Sequence, residues 1–284
     1  MFKKLFCLLA VLAIAGSANA ALLAFYNFGS TAPTAANQGT AGTAADGLLV
    51  GNATIVDIDT SARGIEYALQ LGNTTGSGLA DSSYMNITNG DDTWYDTAIP
   101  TPSGARAYAA WLRLEPGTTQ GWSMLMSKGF ETSLAIGAGT PNGPVDNMIF
   151  SYHTGIASWG PLKSTWDVMD DTYWVHLVGT FDGVDYKTGS LYINGQLQSS
   201  KQTWGPLYAN DLDLLIGAEP NRTGYQFGWN GMIDDVRIYD EYIDASGAYD
   251  LFVNTYDEAR PTIPEPATIA LLGLGGLALL RRKR

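Results

Sequence analysis

Cysteine is all but missing from this chain. The single one, Cys7, lies inside an apolar N-terminal stretch, so nothing after residue 20 carries a thiol. That excludes a disulfide framework, a thiolate metal site and a cysteine nucleophile from the rest of the chain. The hydrophobic core alone must hold the fold. Histidine is nearly as scarce, with only His153 and His176. A nucleophilic triad needs one as its base, yet His153 after "FSY" has no recognisable partner, and His176 lies inside the apolar run "WVHLVGTF". Zinc-ligand spacing, a phosphate-cradling glycine loop and a cofactor fingerprint are all lacking. So is any long stretch of helical periodicity.

Basic residues are few, and several sit at the two ends. Without Lys3, Lys4 and the terminal Arg281, Arg282, Lys283 and Arg284, 10 basic residues face the 27 acidic ones that precede Glu265, a net charge near −17. Such a surface repels nucleic-acid backbones and anionic headgroups. It suits solubility, calcium or neutral glycans.

What is present begins with "MFKKLFCLLAVLAIAGSANA", two lysines, an apolar run and small residues closing on Ala18-Asn19-Ala20. This pattern predicts an export signal over 1–20, cleaved after Ala20. At the other end, Ala267 to Leu280 is an uncharged run of 14 residues before four basic ones. As a helix it would reach about 21 Å, short of a bilayer core of roughly 30 Å. Snorkelling by the basic residues would extend it and keep the C-terminus cytoplasmic.

Pro264-Glu265-Pro266, the Ala/Leu/Gly run and the ending Arg281, Arg282, Lys283 and Arg284 together resemble the PEP-CTERM sorting signal of Gram-negative exopolysaccharide producers. The resemblance implies recognition by a membrane-embedded exosortase and cleavage near Pro-Glu-Pro. The product would pass from the inner membrane to the cell surface or extracellular matrix.

Between the signals the chain reads as all-β. Apolar or alternating runs recur between turn signals: "LLAFYNF", "EYALQL", "YAAWLRL", "WSMLMS", "TSLAIG", "NMIFSY", "YWVHLVGTF", "SLYING", "LDLLIG" and "GMIDDVRIY". Inner strands of two packed sheets have this character. Asn194-Gly195 predicts a type I′ hairpin. Trp159-Gly160-Pro161-Leu162 and Trp204-Gly205-Pro206-Leu207 predict loops. Only "DASGAYDLFVNTYDEA" reads as helical, while the acidic stretches at 89–96 and 167–171 read as solvated loops. The expected layout is a leader over 1–20, a domain over 21–258, a linker over 259–264 and a sorting segment over 264–284.

The strand series resembles the LamG-like jelly rolls of the concanavalin A-like superfamily. Its carriers are "AFYNF", Ala110-Trp111-Leu112, "WVHLVGTFDG", "LYINGQL", "LLIGA" and "WNGMIDDVRIYD". The resemblance implies an antiparallel two-sheet jelly-roll sandwich of about six or seven strands per sheet, used mostly for binding or adhesion and sometimes holding a structural calcium. Many relatives carry an acid right after the first-strand aromatic, whereas here Gly29 follows Phe28. Asp234 and Asp235 remain as metal candidates, and strand alternation would send them to opposite faces. Calcium needs six to eight oxygens, which two neighbouring aspartates do not supply.

Glycosidases of this fold carry Glu-x-Asp-x-x-Glu along one strand. No glutamate here is followed two residues later by aspartate. Glycan binding has the better physical case, because sugars stack their C–H faces on exposed rings. Trp94, Tyr95, Trp159, Trp166, Trp204, Tyr225 and Trp229 are the candidates. A non-catalytic surface module for polysaccharide or cell-surface glycan is the expectation. A structural matrix protein and a divergent glycosidase or lyase stay open as alternatives.

Overall fold

A computed structural model describes residues 21–29, 33–58, 67–72, 83–88, 90, 93–99, 104–114, 123–128, 135–140, 143–151, 153–154, 158–159, 162–163, 174–183, 187–203, 211–221, 224–226 and 228–255. The first half of the chain forms β1 (Leu22–Tyr26), β2 (Thr34–Ala35), β3 (Gly47–Val50), β4 (Thr54–Asp57), β5 (Tyr67–Gly72), β6 (Tyr84–Asn86) and the helix α1 (Thr93–Ala98). There follow β7 (Arg106–Leu114), β8 (Ser123–Ser127), β9 (Ala135–Thr140), β10 (Gly143–Ser151), β11 (His153–Thr154), β12 (Ser158–Trp159) and β13 (Leu162–Lys163). The chain continues with β14 (Val175–Phe181), β15 (Lys187–Ile193), β16 (Gln196–Thr203), β17 (Leu215–Ile216), β18 (Glu219–Asn221), β19 (Gly224–Gln226), β20 (Asn230–Tyr239) and α2 (Ala245–Thr255).

Two antiparallel sheets result, each of eight strands. One runs β16-β15-β14-β7-β20-β5-β4, with β1 also on β20, and the other runs β13-β10-β9-β8-β17-β6-β3-β2. This is the all-β arrangement of two packed sheets that the sequence pattern predicts, and the jelly-roll sandwich that the resemblance implies. The extra strands are short ones such as "GLLV" and "TIVD", too brief for a period to register. A second departure is α1, which folds within the acidic stretch read as a solvated loop and buries Tyr95.

Sequence period explains the layers. Along β7, Tyr108, Ala110 and Leu112 join the main core between the sheets, while Ala107, Ala109 and Trp111 belong to clusters on the outer face. That face is covered by α2, whose Ala248, Leu251 and Phe252 pack there. Small side chains at 107 and 109 allow the helix to approach. His176 lies fully buried on β14, its ring 5.0 Å from Trp111 and 6.1 Å from Phe252. Burying one such large ring contributes roughly 2–3 kcal/mol.

The Asn194-Gly195 turn forms as predicted, with φ of 49° and 72° joining Ile193 to Gln196. A second special position was not foreseen. In β20, Asp234 pairs with Trp111 but Arg237 pairs with Ala109, so three steps on one strand oppose two on the other. This β-bulge puts Asp235 at φ 52° and resets the alternation, letting Ile233, Val236 and Ile238 all reach the core. Strand β20 changes partner at the same place, from β5 over 230–233 to β1 over 236–239.

Among the described residues no helix is long and apolar enough to cross a membrane. The leader, the 267–280 run and the sorting residues Pro264, Glu265, Pro266, Arg281, Arg282, Lys283 and Arg284 lie outside them.

Candidate functional site

One end of the sandwich gathers polar side chains around α1. In the second sheet Ser127, Leu215 and Asn86 form one row across β8, β17 and β6. Just beyond that row lie Lys128, Asp213 and Thr88. The Asp213 carboxylate accepts from Asn86 Nδ2 at 2.8 Å, Thr88 Oγ1 at 2.9 Å and the Gly90 amide at 2.7 Å. Thr88 Oγ1 in turn accepts the Leu214 amide at 2.9 Å. A charged acceptor with three donors fixes the segment that enters α1.

Helix α1 then sets three consecutive side chains in different environments. Tyr95 is buried and its hydroxyl meets that of Tyr108 on β7. Asp96 points to water and pairs with the buried Lys128 at 3.5 Å, whose ammonium lies 5.6 Å over the Tyr95 ring. Trp94 is partly buried, crosses Tyr95 edge to face at 5.8 Å and keeps part of its surface open.

Arg106 begins β7 beneath this group. It is 1% exposed, donates from Nη1 to the Tyr95 hydroxyl at 3.3 Å and from Nε to the Gly104 carbonyl at 3.2 Å, and leaves Nη2 unpartnered. Burial first, and then the neighbouring Tyr95, push the Tyr108 phenol well above its ordinary value, against the lowering influence of Arg106. Tyr108 therefore stays protonated while its hydroxyl meets that of Tyr95. Chemically the ensemble offers an aromatic surface, a half-exposed carboxylate and a fixed polar loop, a set suited to holding a hydroxyl-rich ligand.

Of the aromatic candidates, the structure brings Trp94 and Tyr95 to this end. Tyr95 at 1% and Trp229 at 0% exposure present no face to a ligand, and both are corrected to core residues. Their rings fill the space between the sheets, which large aromatics do best. Trp229 also lies near the opposite end of β7, next to the pairing of Gly231 with Leu114. Trp159 and Tyr225 fall in the small hairpins β11–β12 and β18–β19. Trp166 and Trp204 lie outside the described residues.

Asp234 and Asp235 stand apart from this end. The Asp235 carboxylate meets the Arg237 guanidinium at 3.5 Å, and that guanidinium lies 4.4 Å over the Phe25 ring. Asp234 Oδ1 accepts the Asp235 amide at 2.6 Å. The bulge replaces the expected alternation, and the Arg237 guanidinium faces Asp235. Among the described residues no group of three or more His, Cys, Asp or Glu converges. As placed, these two aspartates do not fit a calcium ion.

Sequence reasoning missed Arg106, Lys128 and Asp213. The usable signal was scarcity, because a lone cation beside an apolar strand in so acidic a chain needs a reason to be there.

The family model described as the concanavalin A-like lectin/glucanases superfamily matches residues 75–246, and the PEP-CTERM protein-sorting motif matches residues 262–284. No curated protein matches the sequence. Among solved structures, the chain is similar to domain 4 of AbnA, a GH43 extracellular arabinanase from Geobacillus stearothermophilus, in complex with arabinotriose. Identity is 19% and the TM-score 0.56, over 82% of this chain and 98% of that one. It is similar also to the binding domain of botulinum neurotoxin DC in complex with rat synaptotagmin II, at 14% identity and TM-score 0.58, over 84% and 52%. A third is a structure of botulinum neurotoxin type C, whose cell entry depends on interaction with two ganglioside molecules, at 15% and 0.57, over 84% and 52%. The chain spans about half the length of these toxin domains. At such identities the likeness fixes the fold alone.

Proposed function

The chain belongs to the concanavalin A-like lectin/glucanases superfamily, and from that premise we propose that it is a non-catalytic glycan-binding module of the cell surface or extracellular matrix. Its binding site is the α1 end of the sandwich. The observation that carries this is the placement of the partly open Trp94 on α1, between the segment that Asp213 holds at Gly90 and the Asp96 that pairs with Lys128. A ring face and oriented polar groups within one rigid end are what sugar recognition needs. The AbnA domain, similar over almost its whole length, was solved with arabinotriose, which makes neutral oligosaccharides the first ligands to try.

Delivery follows from the two ends. The export signal over 1–20 carries the chain out, and the motif over 262–284 marks it for an exosortase and for surface association. Residues 21–258 are then the displayed domain and 259–264 the linker. Binding is calcium-independent on this proposal, since Asp235 is matched to Arg237. The test is titration of the purified protein against a panel of neutral and acidic glycans, with calcium and with chelator, while watching for released sugar. Saturable binding unchanged by chelator and without product supports the proposal. Product formation, or no binding across the panel, contradicts it; in the second case a protein ligand or a purely structural matrix role takes its place.

A further inference from the structure

Among the described residues only four large apolar side chains face water, and three of them fall together. Tyr249 is 56% exposed, Val253 46% and Leu197 53%. Tyr249 and Val253 are one helical turn apart on α2, so they share a side of the helix. Tyr249 lies against the hairpin, where a Cβ on Gly195 would meet its Cα at 3.0 Å. Leu197 pairs across the strands with Tyr192, which packs beneath α2 with Ala248. Helix and hairpin therefore present one apolar patch on the outer face of the first sheet. Another exposed aliphatic, Leu48 at 39%, belongs to β3 in the other sheet.

The patch sits at the root of the sorting tail. Helix α2 ends at Thr255, and eleven residues separate it from Ala267, where the apolar run begins. Fully extended, they span at most about 40 Å, less than the roughly 45 Å width expected for a domain of this size. With the tail in a bilayer, so short a tether leaves the face around α2 nearest the lipid. Aromatic and aliphatic side chains suit the interfacial zone of a membrane, and the acidic charge of the domain favours neutral over anionic lipid.

We infer that Leu197, Tyr249 and Val253 form a contact surface for a neutral lipid bilayer, used while the tail is inserted. This rests on the membrane role of the tail, and the experiment separates the two. The chain is made as residues 21–284, which carry no cysteine, with a single one added as Val253→Cys or Leu48→Cys, each carrying an environment-sensitive fluorophore. It is reconstituted into phosphatidylcholine vesicles and floated.

The expected result is flotation of both, with the probe at 253 severalfold more quenched by brominated lipid than the probe at 48. Flotation with equal quenching at both positions overturns the surface and leaves the tail reading standing. Failure to float overturns both. A probe at 253 already shielded before vesicles are added points to a second copy of the chain on the patch, and also overturns the inference.

Discussion

The indole nitrogen of Trp111 donates to the hydroxyl of Thr255 at 2.8 Å, fastening the last turn of α2 to the middle of the first sheet. The same hydroxyl donates to the Leu251 carbonyl at 2.6 Å. The final described element is thus tied into a strand formed more than a hundred residues earlier. Thr255→Val keeps the shape and removes both bonds, at a cost of about 1–2 kcal/mol. A urea midpoint that falls at unchanged slope checks it.

Gly39 supports β1 by close approach rather than by an unusual dihedral. A Cβ there would lie 2.3 Å from the Leu23 carbonyl oxygen, a backbone atom that cannot swing aside. Gly39→Ala is expected to destabilise by roughly 1–3 kcal/mol or more. Gly42→Ala, at φ 60° with open space around its Cβ, costs only the left-handed strain of about 1–2 kcal/mol. Denaturation of the two variants side by side checks the difference.

Alkaline pH should weaken the fold. Burial raises Tyr26, Tyr108, Tyr192 and Tyr239 above the ordinary value of 10.0. For a group raised in the folded state, the stabilisation is fully present below the unfolded value and is lost as pH climbs past it, because the unfolded chain releases protons that the folded one retains. Stability should therefore hold up to about pH 10 and then fall by up to ~1.4 kcal/mol per pH unit for each buried tyrosine. Denaturant titrations at a series of pH values, with phenolate absorbance recorded, read this directly.

Processing should depend on the Pro-Glu-Pro segment and not on the sandwich. Glu265→Ala with Pro266→Ala is expected to abolish surface delivery in the native host while the purified domain keeps its melting temperature. Unchanged delivery and processing would remove the sorting role from residues 262–284.

How much of this was written in the sequence varies by element. Long strands such as "YAAWLRL" and "WVHLVGTF" declared themselves because both faces are buried, and the Asn194-Gly195 turn did so because its dihedrals demand those residues. The short strands at 47–50 and 54–57 carry too few residues for a period. Helix α1 was hidden by its acids, since Thr93 to Ala98 holds Trp94 and Tyr95 beside Asp96, and only the fold shows that Tyr95 turns inward to Tyr108. The bulge at Asp235 was invisible because a single inserted residue leaves the motif intact while changing its phase. Of the site, the sequence offered Trp94 within a set of seven rings, whereas Arg106, Lys128 and Asp213 matter through pairings across the chain that no local pattern carries.

Glycan recognition at the α1 end is tested by calorimetric titration of the original chain and Trp94→Ala with the best glycan from the panel. Loss of the ring should weaken binding by up to about tenfold, ~1.4 kcal/mol, with Asp213→Asn weakening it as well and circular dichroism unchanged in both. Equal affinity in all three proteins would contradict the placement and move the site to another part of the surface.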